Sequence, residues 1–143
     1  MSRPIVPSRI ATLLPALVLA AAACTDGTGP VLSAGDYVLE RVNDRPLPYT
    51  WTYPETSSSY TIRYQRITIG AGGVWTSSTS HVLVYPTLTR DETNHLDGGT
   101  FTFDDGSGAL TLGSSKTMAV LVGTASGRRI TITKDGDRLV YER

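Results

Sequence analysis

Short runs of β-branched and aromatic residues, cut at close intervals by Gly, Asp, Asn and Ser, govern what this chain can fold into. Such residues suit a pleated surface, and such clusters mark turns. No stretch carries apolar residues at i, i+3, i+4 and i+7, the spacing an amphipathic helix needs. The pattern predicts strands at Asp36–Val42, Tyr49–Tyr53, Tyr60–Ile69, Gly73–Tyr85 (broken near Ser78), Gly99–Phe103, Ala109–Leu112, Thr117–Val122, Arg129–Thr133 and Arg138–Glu142. Period-two alternation supports several. Phe101 and Phe103 share one face and Thr100 and Thr102 the other. Ile130 and Ile132 alternate with Arg129, Thr131 and Thr133. Met118, Val120 and Val122 form a row opposite Ala119 and Leu121. In Tyr60–Ile69 the phase slips, because Tyr60, Ile62 and Tyr64 share a face while Ile67 and Ile69 take the other. A bulge near Gln65-Arg66 reconciles them.

Asp104-Asp105-Gly106-Ser107-Gly108 and Lys134-Asp135-Gly136-Asp137 read as hairpin turns, since Asp-Gly favours the primed turns that match strand twist. Consecutive hairpins imply an all-β antiparallel meander. About eight short strands in one small domain point to a barrel, which removes edges open to other chains; a β-sandwich is the alternative.

The segment before the domain is of a different kind. Arg3 and Arg9 precede an apolar run from Ile10 to Ala20, then Ala21, Ala22, Ala23 and Cys24, the only cysteine. The apolar run is about half the ~20 residues of a membrane-spanning helix, and Pro15 interrupts it. The segment resembles a bacterial lipoprotein signal peptide (residues 1–23), with Ala21 where the usual pattern has a branched aliphatic residue. The resemblance implies cleavage before Cys24, lipidation of its sulfur and acylation of its amine. Plain cleavage after the Ala21-Ala22-Ala23 site is the alternative. Several acyl chains would anchor the protein stably. Thr25, with no Asp in that place, implies sorting to the outer membrane, facing the periplasm. Residues 24–34, rich in Gly, Thr, Ser and Pro, read as a flexible tether, and 35–143 as a single domain.

Removing residues 1–23 from 143 leaves 120, enough for one core. The balance becomes 11 basic against 13 acidic side chains, because Arg3 and Arg9 are both removed. No basic stripe stands out, which argues against a nucleic-acid partner. A single cysteine excludes an internal disulfide, so the domain is held by packing.

Gly35-Asp36-Tyr37-Val38-Leu39, followed by Val42-Asn43-Asp44-Arg45-Pro46-Leu47-Pro48, resembles the opening of small bacterial lipoproteins of a lipocalin-like type. Gly73-Val74-Trp75, Gly98-Gly99-Thr100-Phe101 and Asp137-Arg138-Leu139-Val140-Tyr141-Glu142-Arg143 extend the likeness. Tyr37 stands where lipocalins have Trp, and Asp44 where Gly is usual. The resemblance implies a barrel whose end is closed by Tyr37, packed beneath a late Arg that is either Arg138 or Arg143. It specifies no ligand.

Chemistry-bearing motifs are sparse. His81 lies in a strand-like run, and His95 in the polar segment Arg90–Asp97. Asp91, Glu92, His95 and Asp97 could gather around a metal, but no zinc motif such as H-E-x-x-H is present, and a solvated loop is the simpler reading. Asp104–Gly108 lacks the spacing and closing Glu of a calcium loop. No G-x-S-x-G elbow occurs, and Ser57–Ser59 and Ser77-Ser78 have no recognisable base. The expectation is a non-catalytic protein with no cofactor and no metal.

The functional candidates are aromatic: Trp51, Tyr53, Tyr60, Tyr64, Trp75 and Tyr85. Aromatics carry large apolar area with a polar tip, which suits a lined pocket, although a small barrel also fills itself with side chains. The leading reading is a tethered barrel that binds a small, mostly apolar ligand. The alternative is a solid-core module, inhibitor-like in kind, docking an envelope protein through loops at Thr87–Asp97 and Pro54–Ser59. An open internal cavity would favour the first.

Overall fold

The computed structural model describes residues 29–143. The expected signal peptide, residues 1–23, and Cys24 lie outside the described residues. From Gly35 the chain forms ten strands: β1 (Gly35–Val42), β2 (Arg45–Pro46), β3 (Tyr49–Tyr53), β4 (Ser58–Ile69), β5 (Val74–Tyr85), β6 (Leu88–Phe103), β7 (Ala109–Ser114), β8 (Val120–Ser126), β9 (Arg129–Lys134) and β10 (Asp137–Glu142). A 3₁₀ turn at Pro54–Thr56 separates β3 from β4. Neighbours in sequence pair antiparallel from β4 through to β10; β10 pairs with β1, and β1 returns to β4. Eight strands thus close a barrel, which decides against a sandwich.

Inward side chains pack one end solid. Tyr37, Leu39, Ile67, Ile69, Leu110, Leu112, Ile130 and Ile132 are all buried in one cluster. The turns at Gly70–Gly73, Asp104–Gly108 and Gly127–Arg128 lie at this closed pole, as the strand registers require. The Tyr37 hydroxyl donates to the Ser33 carbonyl at 2.8 Å. Arg143 reaches this pole, its guanidinium beside Gly35, whereas Arg138 pairs with Asp44 at the other end, 3.0 Å away. Of the two arginines expected near Tyr37, the register therefore selects Arg143. Gly29–Leu32 also packs here: Leu32 bridges to Gly127, and Pro30 lies against Gly108.

Two glycines allow the wall to curve. A Cβ on Gly99 would stand 2.0 Å from the Gly113 carbonyl oxygen, and one on Gly123 would stand 2.1 Å from that of Thr131. No side chain fits such an approach, and glycine marks barrel bends for this reason.

At the open pole the wall is uneven. β6 pairs with β7 only over Gly99–Phe103, and β1 pairs with β4 only over Arg66–Ile69. The outer halves of β4, β5 and β6 therefore run on past the barrel, joined by β3, as a four-stranded flap. The expected break near Ser78 is absent, and β5 is continuous. The segment expected as a loop, Thr87–Asp97, lies almost wholly in β6. It escapes an alternation test because its inward side chains are polar. Met118 sits at φ 59° in the turn before β8, which begins at Val120 and not at Thr117. The row Met118, Val120 and Val122 is exposed, and Leu121 faces inward.

Candidate functional site: the barrel cavity

Above the packed pole the barrel encloses a cavity of about 980 Å³. Ile67, Trp75, Ile132 and Tyr141 belong to both the core and the cavity lining, and form its floor. Two bulges decide what else faces in. In β4 the register with β5 slips between Ile62 and Tyr64, so Arg63 is the extra residue. The bulge expected near Gln65-Arg66 lies two residues earlier. Tyr60 and Ile62 point inward on one side of it, and Gln65 and Ile67 on the other. In β6 the register slips between Glu92 and His95, with Asn94 at φ 62°. Simple alternation from His95 would bring Thr93 and Asp91 inward. The bulge instead turns Glu92 and Arg90 to the cavity, and Asp91 outward to Arg63 at 2.8 Å. Bulges re-aim side chains in this way.

Both slips fall beside the same residue of β5, His81, which pairs with Ile62 on one side and Glu92 on the other. His81 is 6% exposed. Its Nε2 lies 3.5 Å from Glu92 Oε2, and His95 Nδ1 approaches the same oxygen at 3.4 Å. Arg90 Nη2 holds the other carboxylate oxygen at 2.5 Å. Burial pushes the His81 pKa below the usual imidazole value; Glu92 pulls it back, and His95 and Arg90 push it further down. The ring is therefore neutral at neutral pH. Among the described residues, His81 Nδ1 is the one buried side-chain nitrogen or oxygen without a hydrogen-bond partner.

A file of rings leads from the flap to this cluster. Tyr49 meets Trp51 edge-on at 4.7 Å, Trp51 lies 5.5 Å from Tyr60, and Tyr60 lies 4.8 Å from His81, which in turn meets His95 at 5.9 Å. Burial, then Tyr53 and Glu92, raise the Tyr60 pKa. Burial, then Tyr60, raise that of Tyr141. Both phenols stay neutral. Tyr141 donates to Gln65 Oε1 at 2.7 Å, and Gln65 donates to Thr79 Oγ1 at 3.1 Å. The flap is fastened across the mouth by Asp137, whose carboxylate accepts from Trp51 Nε1 and from Asn43 Nδ2, each at 2.5 Å.

Of the six aromatic candidates, Trp51, Tyr53, Tyr60 and Trp75 line the cavity. Tyr64 does not, because the Arg63 bulge puts it outside, and Tyr85 stands exposed at the flap tip. Residue patterns missed the polar wall, Ser77, Thr79 and His81 on β5 with Glu92 and His95 on β6. The signal was present in the alternation Trp75, Ser77, Thr79, His81, Leu83, one strand face mixing polar and apolar residues. Asp97 is engaged by Ser114 Oγ at 2.7 Å and by the Gly98 amide. Asp91 faces away, so the acidic residues of β6 do not converge. Among the described residues no three of His, Cys, Asp and Glu are placed to hold a metal ion. Among the same residues no helix is long and apolar enough to cross a membrane. The chain matches no family model, no curated protein and no solved structure.

Proposed function

We propose that this protein is a non-catalytic carrier or receptor of the bacterial cell envelope, lipid-anchored at Cys24, that takes a small and largely apolar molecule into its barrel. The cavity of about 980 Å³ carries the reading. It lies at the upper end of the range for small-molecule sites, and a barrel built only for stability would fill that space with side chains. Five aromatic side chains in its lining, Trp51, Tyr53, Tyr60, Trp75 and Tyr141, supply apolar area with polar tips. The lipoprotein-like segment supports the anchor and a place on the outer membrane facing the periplasm.

The test uses the mature chain and the uncharged fluorophore N-phenyl-1-naphthylamine. Saturable one-to-one binding is expected, and Ser77→Phe with Thr79→Phe, which fill the cavity from β5, should abolish it. Native mass spectrometry of protein taken from membranes should also show a co-purifying small molecule. Unsaturable binding that is indifferent to the filling substitutions, with no retained molecule, overturns the reading.

A further inference from the structure

We infer that the His81–Glu92–His95 cluster is the head-group end of the cavity, and that its ligand is an amphiphile bearing an amine. The inference rests on the ligand-binding reading above and adds the chemistry of the bound group.

The cluster is built, in the sense that the backbone deforms to make it. Two bulges on separate strands flank His81, and one of them turns Glu92 and Arg90 inward at the cost of an Asn in the left-handed region. The β6 bulge does nothing for the core, because the side chains it aims inward beside His81, Arg90 and Glu92, are polar. The unpartnered His81 Nδ1 is an independent sign. A buried polar atom without a partner is rare, and it weakens the fold that contains it.

The free valences here are those of acceptors. His81 Nε2 and His95 Nδ1 lie 3.5 and 3.4 Å from Glu92 Oε2, and the neutral His81 ring, with its N–H on the side of the carboxylate, presents a lone pair at the unpartnered Nδ1. The carboxylate adds negative charge, and Arg90 balances only that one group. Around the whole cavity two cations, Arg90 and Lys134, face four carboxylates: Glu92, Asp97, Asp135 and Asp137. The Tyr60 ring stands next to the cluster and Trp51 lies one ring beyond it, and aromatic faces attract cations. A group that donates hydrogen bonds and carries positive charge meets all of these. An acid head would meet lone pairs and excess negative charge. The apolar body then extends over the floor of Ile67, Trp75 and Ile132.

The experiment compares dodecylamine, dodecanol and dodecanoate, one chain with three heads, by quenching of tryptophan fluorescence below their micellar concentrations at neutral pH. Loss of a charge-assisted hydrogen bond should make dodecanoate at least about tenfold weaker than dodecylamine, with dodecanol between them. Glu92→Gln and His81→Phe, checked for native circular dichroism, should each narrow or invert the amine-to-acid ratio. A second variant guards against one that misfolds. Dodecanoate binding as tightly as the amine, or a ratio that both variants leave alone, overturns the head-group inference while the cavity reading survives. If none of the three ligands binds, the cavity reading itself falls.

Discussion

Asp137 offers a quantitative test of how the flap is held. Its two oxygens face two donors, Trp51 Nε1 and Asn43 Nδ2, from chain segments 86 and 94 residues away. A carboxylate satisfies both. The isosteric amide of Asp137→Asn has one acceptor and one donor, so one partner must face an N–H₂ group. Asn43 cannot turn its amide over, because its Oδ1 already accepts from the Arg138 amide at 2.9 Å. A hydrogen bond to a charged group contributes roughly 1.5–3 kcal/mol, and the half-exposed rim lets water relieve part of the clash, so a loss of about 2 kcal/mol is expected. For a domain of this size that is about 8 °C in Tm. Trp51→Phe alone removes one donor and some packing. In the double variant the amide can give its oxygen to Asn43 and its N–H₂ to the space that Trp51 Nε1 vacates. The two losses should then fall short of additivity by about 1 kcal/mol, well beyond the ~0.3–0.5 kcal/mol scatter of independent sites. Urea unfolding followed by far-UV circular dichroism measures all four corners without depending on Trp51. Additive losses, or an Asp137→Asn change within about 0.5 kcal/mol of wild type, would refute the latch, since that is the range of ordinary surface substitutions.

Three further outcomes are expected. Gly123→Ala should cost more than about 3 kcal/mol or prevent folding, because its methyl meets the Thr131 backbone; Gly127→Ala, in open space at φ +59°, should cost only about 1–2 kcal/mol in the same urea assay. Stability should fall as the solution is acidified below pH 6.5, and Phe at position 81 should flatten that fall. The sign follows from burial: the folded pKa of His81 lies below its unfolded value, so the unfolded chain takes up the proton first, and the contribution is lost as pH drops through the folded value. Glu92, His95 and Arg90 on β6 and Tyr60 on β4 face this ring, and the outward-facing Asp91 acts on it through its charge, which is why the variant is needed to isolate it. Finally, Cys24→Ser should release the protein from the membrane fraction while the barrel keeps its circular dichroism; retention in membranes would count against the anchor.

Strands were legible wherever one face is apolar and the other is not. Phe101 with Phe103 and Ile130 with Ile132 alternate cleanly, and both pairs lie in strands as expected. The outer half of β6 was illegible for a physical reason. Arg90, Glu92, His95 and Asp97 face a cavity and not a core, so the period-two signal is written in polar residues on both sides. The bulges compound this, since one extra residue reverses the facing of everything beyond it. Tyr64 was read on the face of Tyr60 and Ile62 because the slip at Arg63 comes two residues before the place where the Ile67 and Ile69 pattern reveals it. Aromatics were identified as the candidate lining without any sign that a histidine pair stood among them. The residues that bring His81, Glu92 and His95 together are paired across strands, and no linear spacing records that.

The position of Gly29–Leu32 gives the domain a direction. These residues lie against Pro30's neighbour Gly108 and against Gly127, at the pole that Tyr37 and the core close. Whatever precedes Gly29 departs from there. The mouth, with its flap and its Asp137 clasp, opens at the opposite pole. An attachment upstream of Gly29, as proposed at Cys24, would therefore join the barrel at its sealed base, like the foot of a cup, and a ligand of the proposed kind would enter at the far pole.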